Sequence, residues 1–162
     1  MQSLLEKSER DQIIDYCFKR YGLDPLVWEG LVLKKSSEAI WAVPSQLDAF
    51  VIKFSTDGCE TAGLRIFSGK RFPYKITDSF LSFFSDSISN GVLLLNAQQT
   101  KSLLFEKSIE SDFFKSLEDG YTVLKYRDLF LGVGLLRGSK LDSQIPKKIT
   151  NQLSSKLELS DK

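Results

Sequence analysis

The sequence predicts an α+β protein of two domains, and three observations carry that prediction. Helical periodicity in the first twenty residues gives way to strand-like runs separated by turn residues. Ser89-Asn90-Gly91 is the clearest punctuation in the chain, with a change of composition across it. Beyond it, two apolar runs separated only by Arg127 and Asp128 describe a tight hairpin. Residues 1–89 are therefore expected to form an N-terminal α/β domain with a mixed or antiparallel sheet. Residues 90–150 are expected to form a β-rich second domain, and 151–162 a polar C-terminal tail.

In chain order, Ser8 followed by Asp11 suggests a capping-box-like start, and Ile13, Ile14, Cys17, Phe18 and Tyr21 then recur at helical spacing. Gly22 should stop this helix, and Asp24-Pro25 supply the N-cap and first position of a short helical turn through Trp28. Cys17 falls on the buried face and reads as a small core residue. Leu31–Leu33, a turn at Lys35-Ser36-Ser37 and Ala39–Val43 make a hairpin. Pro44-Ser45 then opens a short helix reaching about Phe50, and Asp57-Gly58 marks a turn beside Cys59, which is given no role. Ala62–Phe67 reads as a strand, Ser68-Gly69 as a turn, and Phe72–Ile76 as extended chain around Pro73. Thr77 should cap a helix that buries Phe80, Leu81, Phe83 and Phe84.

In the second half, Val92–Leu95 reads as a strand and Ala97–Phe105 as a helix with Leu103 and Leu104 inward. Glu106–Asp119 reads as a charged, exposed connection ended by Gly120. Tyr121–Tyr126 and Leu129–Leu136 form the hairpin, whose second strand carries Gly132 and Gly134. After Pro146 the chain is polar, with Leu153, Leu157 and Leu159 at helix-like intervals, and is expected to fray.

Composition narrows the function classes. Of 162 residues, 42% are hydrophobic and 12 are Phe, enough for a globular core. The absence of histidine excludes triads and metal sites that depend on it. The two cysteines form no zinc spacing or disulfide framework, which favours a reducing, cytoplasmic setting. Neither a signal-peptide pattern nor an apolar span is present, so no membrane association is expected. No glycine-rich phosphate loop, nucleophile elbow or spaced carboxylate pair emerges, and Asp78 and Asp86, flanking one helix, read as an end charge and a surface residue. The reading contains no catalytic residue, metal or cofactor.

Charge is segregated beneath a net of +1. Residues 1–62 balance to −3, 63–80 to +3 through Arg65, Lys70, Arg71 and Lys75, and 121–150 to +4. Binding chemistry therefore concentrates around the second hairpin. Lys125, Arg127, Arg137, Lys140, Lys147 and Lys148 could neutralise phosphates, and Tyr126 could stack on an exposed base. Gly132 and Gly134 leave one strand face bare, either for a ligand or backbone to approach or to admit a bulge or tight barrel bend.

The order of features resembles known RNA-binding proteins. Asn90–Leu95, the helix from Ala97, Gly120–Leu124 and Leu131-Gly132-Val133-Gly134 resemble a PUA domain, a compact pseudo-barrel that binds structured RNA. Upstream, Val32-Leu33-Lys34, Ile40–Pro44, Gly63–Lys70 and Ile76–Leu81 resemble the N-terminal α/β domain of the Nip-seven family of ribosome-biogenesis proteins. The resemblance covers about residues 8–149. It implies a PUA-like β-barrel domain at 90–150 and a role in large-subunit pre-rRNA processing, with nucleolar location in a eukaryote. It also implies RNA as the partner, and the residues already named from their chemistry, Lys125, Tyr126, Arg127, Arg137, Lys140, Lys147 and Lys148, are those expected to meet it. PUA domains commonly have a glycine after the first helix, where this chain has Glu106-Lys107-Ser108-Ile109. Lys140–Lys148 also resembles the end of PUA-like domains attached to RNA cytosine-5 methyltransferases, so a free-standing tRNA- or rRNA-targeting adaptor is the alternative. The acidic N-terminal domain offers a surface for a protein partner in either case.

Overall fold

The computed structural model describes residues 2–48 and 63–158, with side chains described as far as residue 153. The helix end near Phe50, the Asp57-Gly58 turn, Cys59, Ala62 and Leu159 lie outside the described residues. The chain is α+β and divides into two compact units, one up to Asn90 and one from Gly91.

The first unit holds five antiparallel strands in sequential order: β1 (Ser3–Leu4), β2 (Leu31–Ser36), β3 (Ala39–Pro44), β4 (Leu64–Ser68) and β5 (Lys75–Ile76). Helix α1 (Lys7–Tyr21) buries Ile13, Cys17 and Tyr21, an i, i+4, i+8 stripe. It ends at Gly22, whose φ of 66° is left-handed and whose N–H donates to Phe18 O at 3.0 Å. Burial pushes the Cys17 thiol well above its ordinary pKa, consistent with a core residue and not a nucleophile. A 3₁₀ turn, Pro25–Trp28, follows, with the Leu26 N–H donating to the Asp24 carboxylate at 2.8 Å.

Three local expectations give way here to tertiary contacts. The strand β1, unseen in the sequence, pairs Ser3 with Lys35 and Leu4 with Lys34, and delivers the chain into α1 at Lys7, ahead of Ser8. Strand β2 runs on to Ser36, so the hairpin turn is Ser37-Glu38. Pairing along β3 and an ion pair between Lys35 and Glu9 at 2.5 Å hold Lys35 in the ladder. Phe18 is 53% exposed, so α1 buries a narrower stripe than its apolar residues suggested.

Helix α2 (Asp78–Phe84) supplies the other half of the core. Phe80 lies 5.1 Å from Phe67, 4.9 Å from Phe84 and 5.5 Å from Tyr21, ring centre to ring centre, and Trp28 closes the cluster at 4.8 Å from Phe84. Phe83, expected inside, is half exposed because it falls off the face shared by Phe80, Leu81 and Phe84. Thr77 starts the helix as expected, and does more than cap it. Its hydroxyl accepts from the Phe80 N–H at 3.2 Å and donates to the Arg65 carbonyl at 2.6 Å, tying α2 to β4. Thr77→Ala is expected to cost about 1–2 kcal/mol in urea denaturation, with Thr77→Ser restoring most of the loss.

The second unit begins with β6 (Val92–Leu94), α3 (Ala97–Phe105) and β7 (Ser108–Glu110), followed by a 3₁₀ turn at Asp112–Ser116. Then come β8 (Gly120–Tyr126), β9 (Leu129–Arg137), β10 (Lys140–Ser143) and α4 (Lys147–Glu158). The strand order is β6-β8-β9-β10-β7, with β6 parallel to β8 and the remaining pairs antiparallel. Among the described residues β6 and β7 form the two edges and share no ladder. Asn96 and Gln99 make a reciprocal capping box at the start of α3, which places Leu103 and Leu104 in the core as expected.

The stretch 106–119 corrects the expectation of an exposed connection. Ser108–Glu110 pairs with β10, and Phe114 in the following turn is fully buried among Leu103, Leu104, Leu124, Leu136 and their neighbours. The tail also differs: Lys147–Glu158 is helical, and Thr150 and Leu153 are buried, with Leu153 part of the same core. Its charged residues mask the few apolar anchors that decide where it packs.

Candidate nucleic-acid interface

The glycines of β9 resolve first. The face they leave bare is filled from within the unit: a Cβ on Gly134 would meet Leu141 at 2.7 Å and Leu124 at 3.0 Å, and one on Gly132 would meet Ile145 at 3.0 Å. Both glycines are buried. The ladder shifts register between Leu124 and Lys125, where Leu124 faces Gly132 and Lys125 faces Phe130, leaving Leu131 as an extra residue. Gly132 sits beside this bulge with φ at +138°. The glycines thus let the sheet bend over its own core, and they are not a docking surface.

Tyr126 requires a correction as well. It is 7% exposed and belongs to the core, so it cannot stack on an exposed base. The Arg127 guanidinium lies 5.0 Å from its ring centre, and Arg127 itself takes a left-handed φ of 53° in the two-residue turn. Lys125 lies over Phe130 at 5.1 Å. These rings orient cations at the turn instead of offering a platform.

The six cations do not form one patch. Lys125 and Arg127 stand at one end of the β8–β9 hairpin, whereas Arg137 and Lys140 pair across the other end, at the β9–β10 turn. The nine residues of β9 separate these ends by roughly 30 Å. Lys140 is engaged with Asp142 at 3.2 Å. Strand β10 then returns toward the first end: Ser143 faces Gly134, the Gln144 N–H donates to Val133 O, and Ile145 packs over Gly132. Lys147 and Lys148 follow Ile145 and open α4. They are exposed and make no ion pair among the described residues.

Pro146 precedes α4 and has no side-chain oxygen, and the helix begins with two exposed lysines whose charge adds to the positive field of a helix start. No acidic residue stands in that first turn. Lys107 joins this end of the unit, a residue that sequence spacing did not single out. Its φ is +66°, its carbonyl accepts from the Ser143 N–H at 2.7 Å, and its ammonium donates to Thr150 Oγ at 2.8 Å. The contact joins residues 43 apart in the chain, beyond the reach of local pattern. Lys107 takes the left-handed backbone that glycine most readily supplies, in the segment after α3.

The arrangement is that of a cationic helix start braced on a rigid sheet, suited to phosphate oxygens. Among the described residues no group of three metal-ligating side chains comes together, and no helix is long and apolar enough to cross a membrane. Compared with known proteins, the chain matches no family model and no curated protein at a significant level.

Proposed function

We propose that the protein binds structured RNA through its second unit, without catalysis of its own, as a PUA-like module of a large-subunit ribosome-biogenesis factor of the Nip-seven type. The observation that carries this reading is the start of α4: Lys147 and Lys148, exposed and unpaired among the described residues, open a helix with no acidic residue in its first turn, and Lys107 is fixed against the same turn. The mixed five-stranded sheet, bent at Gly132 and crossed by the helix between β6 and β7, supports the PUA-like part of the reading. The resemblance of 90–150 supports the choice of RNA over other polyanions. Lys125 and Arg127 extend the surface, while Arg137 and Lys140 form a separate, weaker contact at the far turn. The alternative, an adaptor related to the RNA-targeting domains of cytosine-5 methyltransferases, is favoured by one feature, the passage of β10 through Pro146 directly into a helix that begins with two lysines.

Charge reversal at both Lys147 and Lys148 tests the reading. Binding of a ribosomal-RNA stem-loop, followed by fluorescence anisotropy over a salt series, should weaken by about tenfold or more, and the slope of log affinity against log salt should flatten by about 1.4–1.8 for two lost phosphate contacts. Reversal at Arg137 should do less. An unaltered slope in the Lys147/Lys148 variant would remove α4 from the interface.

A further inference from the structure

We infer that the first unit carries a separate contact for a single-stranded stretch of nucleic acid, centred on Phe72. The inference rests on the RNA-binding reading of the chain, but its residues lie in the other unit, in the basic segment 63–80 that the second unit does not use.

The β4–β5 connection carries Lys70, Arg71 and Phe72 at the edge of the sheet. Phe72 is 38% exposed, yet it is not loose. Its ring meets Tyr16 edge to face at 5.0 Å and Tyr74 at 5.9 Å, with interplanar angles of 76° and 89°. Tyr74 is itself 9% exposed and in contact with Phe67 of the core, so the platform is anchored from below. A fixed, partly open ring gains stacking without the entropic cost of ordering a mobile side chain.

Charge around this ring suits a phosphate chain. Arg71 is exposed and has no ion pair among the described residues, and Lys75 follows on β5. Lys70 pairs with Glu38 at 3.3 Å, but both side chains are more than half exposed, so the pair exchanges readily for a phosphate. An aromatic ring flanked by cations is the usual means of holding unstacked bases, whose faces all offer the same π surface. A duplex, with its bases stacked inward, would find only the cations.

The experiment uses the full chain and two probes, a single-stranded mixed-sequence RNA dodecamer and the same sequence as a duplex, read by anisotropy. Phe72→Leu retains an apolar side chain against Tyr16 and Tyr74 but removes the ring. It should weaken single-strand binding about tenfold and leave the duplex unchanged, while Phe72→Trp should bind the single strand at least as well as the parent. Circular dichroism melting of both variants checks that they fold, and Arg71→Gln provides a surface substitution that should also weaken binding. The same measurements on the Lys147/Lys148 charge-reversal chain separate the two sites. Loss with Phe72→Leu but not with charge reversal supports this contact and overturns the α4 reading. Loss with charge reversal alone overturns this contact and leaves the patch to a protein partner or to none. Failure of the parent chain to bind either probe overturns both.

Discussion

Valine in place of Gly132 is expected to destabilise the protein by about 3 kcal/mol or more, combining backbone strain with overpacking. Gly132 holds φ at +138°, a conformation that a β-branched residue avoids, and its missing Cβ is the space that Ile145 occupies at 3.0 Å. Neither cost can be relieved alone. Moving Ile145 away would disturb the segment that carries Lys147 and Lys148, whereas rotating the backbone would break the pairing of Gly132 with Leu124 beside the bulge. Urea denaturation followed by far-ultraviolet circular dichroism checks the loss. A midpoint within experimental error of the parent would show that the strand does not need its glycine.

Phe114→Ala should cost about 3–5 kcal/mol, the usual range for a large aromatic removed from a packed core. Its ring is fully buried, in contact with the side chains of α3 and the sheet strands, in a part of the chain whose composition reads as exposed. The neighbouring Phe113 is 60% exposed, and its replacement by alanine should change stability by no more than about 0.5 kcal/mol. Two adjacent phenylalanines thus make an internal control, measured in the same denaturation series. Equal effects at 113 and 114 would mean that the 3₁₀ turn at Asp112–Ser116 is placed otherwise.

The Phe113–Phe114 pair also shows where reading the sequence stops. Between Glu106 and Asp119 no period of two or of 3.6 emerges, because one three-residue edge strand and a single turn of 3₁₀ helix are too short to display a period. The same holds for β1 and for β10, which are two and four residues long and exist only by pairing with β2, β7 and β9. The longer elements were legible. The helix stop at Gly22, the caps at Asp24 and Thr77, the Arg127-Asp128 turn and the inward face of α3 all rest on chemistry within four residues of one another.

The candidate site divides along the same line. Residue types identified the cations, but closeness in sequence suggested one patch from Lys125 to Lys148. The extended strand between Arg127 and Arg137 carries them to opposite ends, and the return of β10 brings Lys147 and Lys148 back past Gly132. Tyr126 shows the converse: its place in the basic run suggested a surface, and the core claimed its ring.

By itself, then, the sequence determined the α+β class, the hairpins, the caps at Asp24 and Thr77, the buried Cys17 and the presence of two basic segments, since each depends on local propensity or on charge that no fold can move along the chain. Tertiary structure alone decided that the glycines of β9 face Ile145 and Leu141 instead of a ligand, that Phe114 is core and Phe72 a braced surface ring, and that Lys107 meets Thr150. Those outcomes depend on which residues distant in the chain share a volume. Close packing of the whole unit sets that volume, and no window of neighbouring residues contains it.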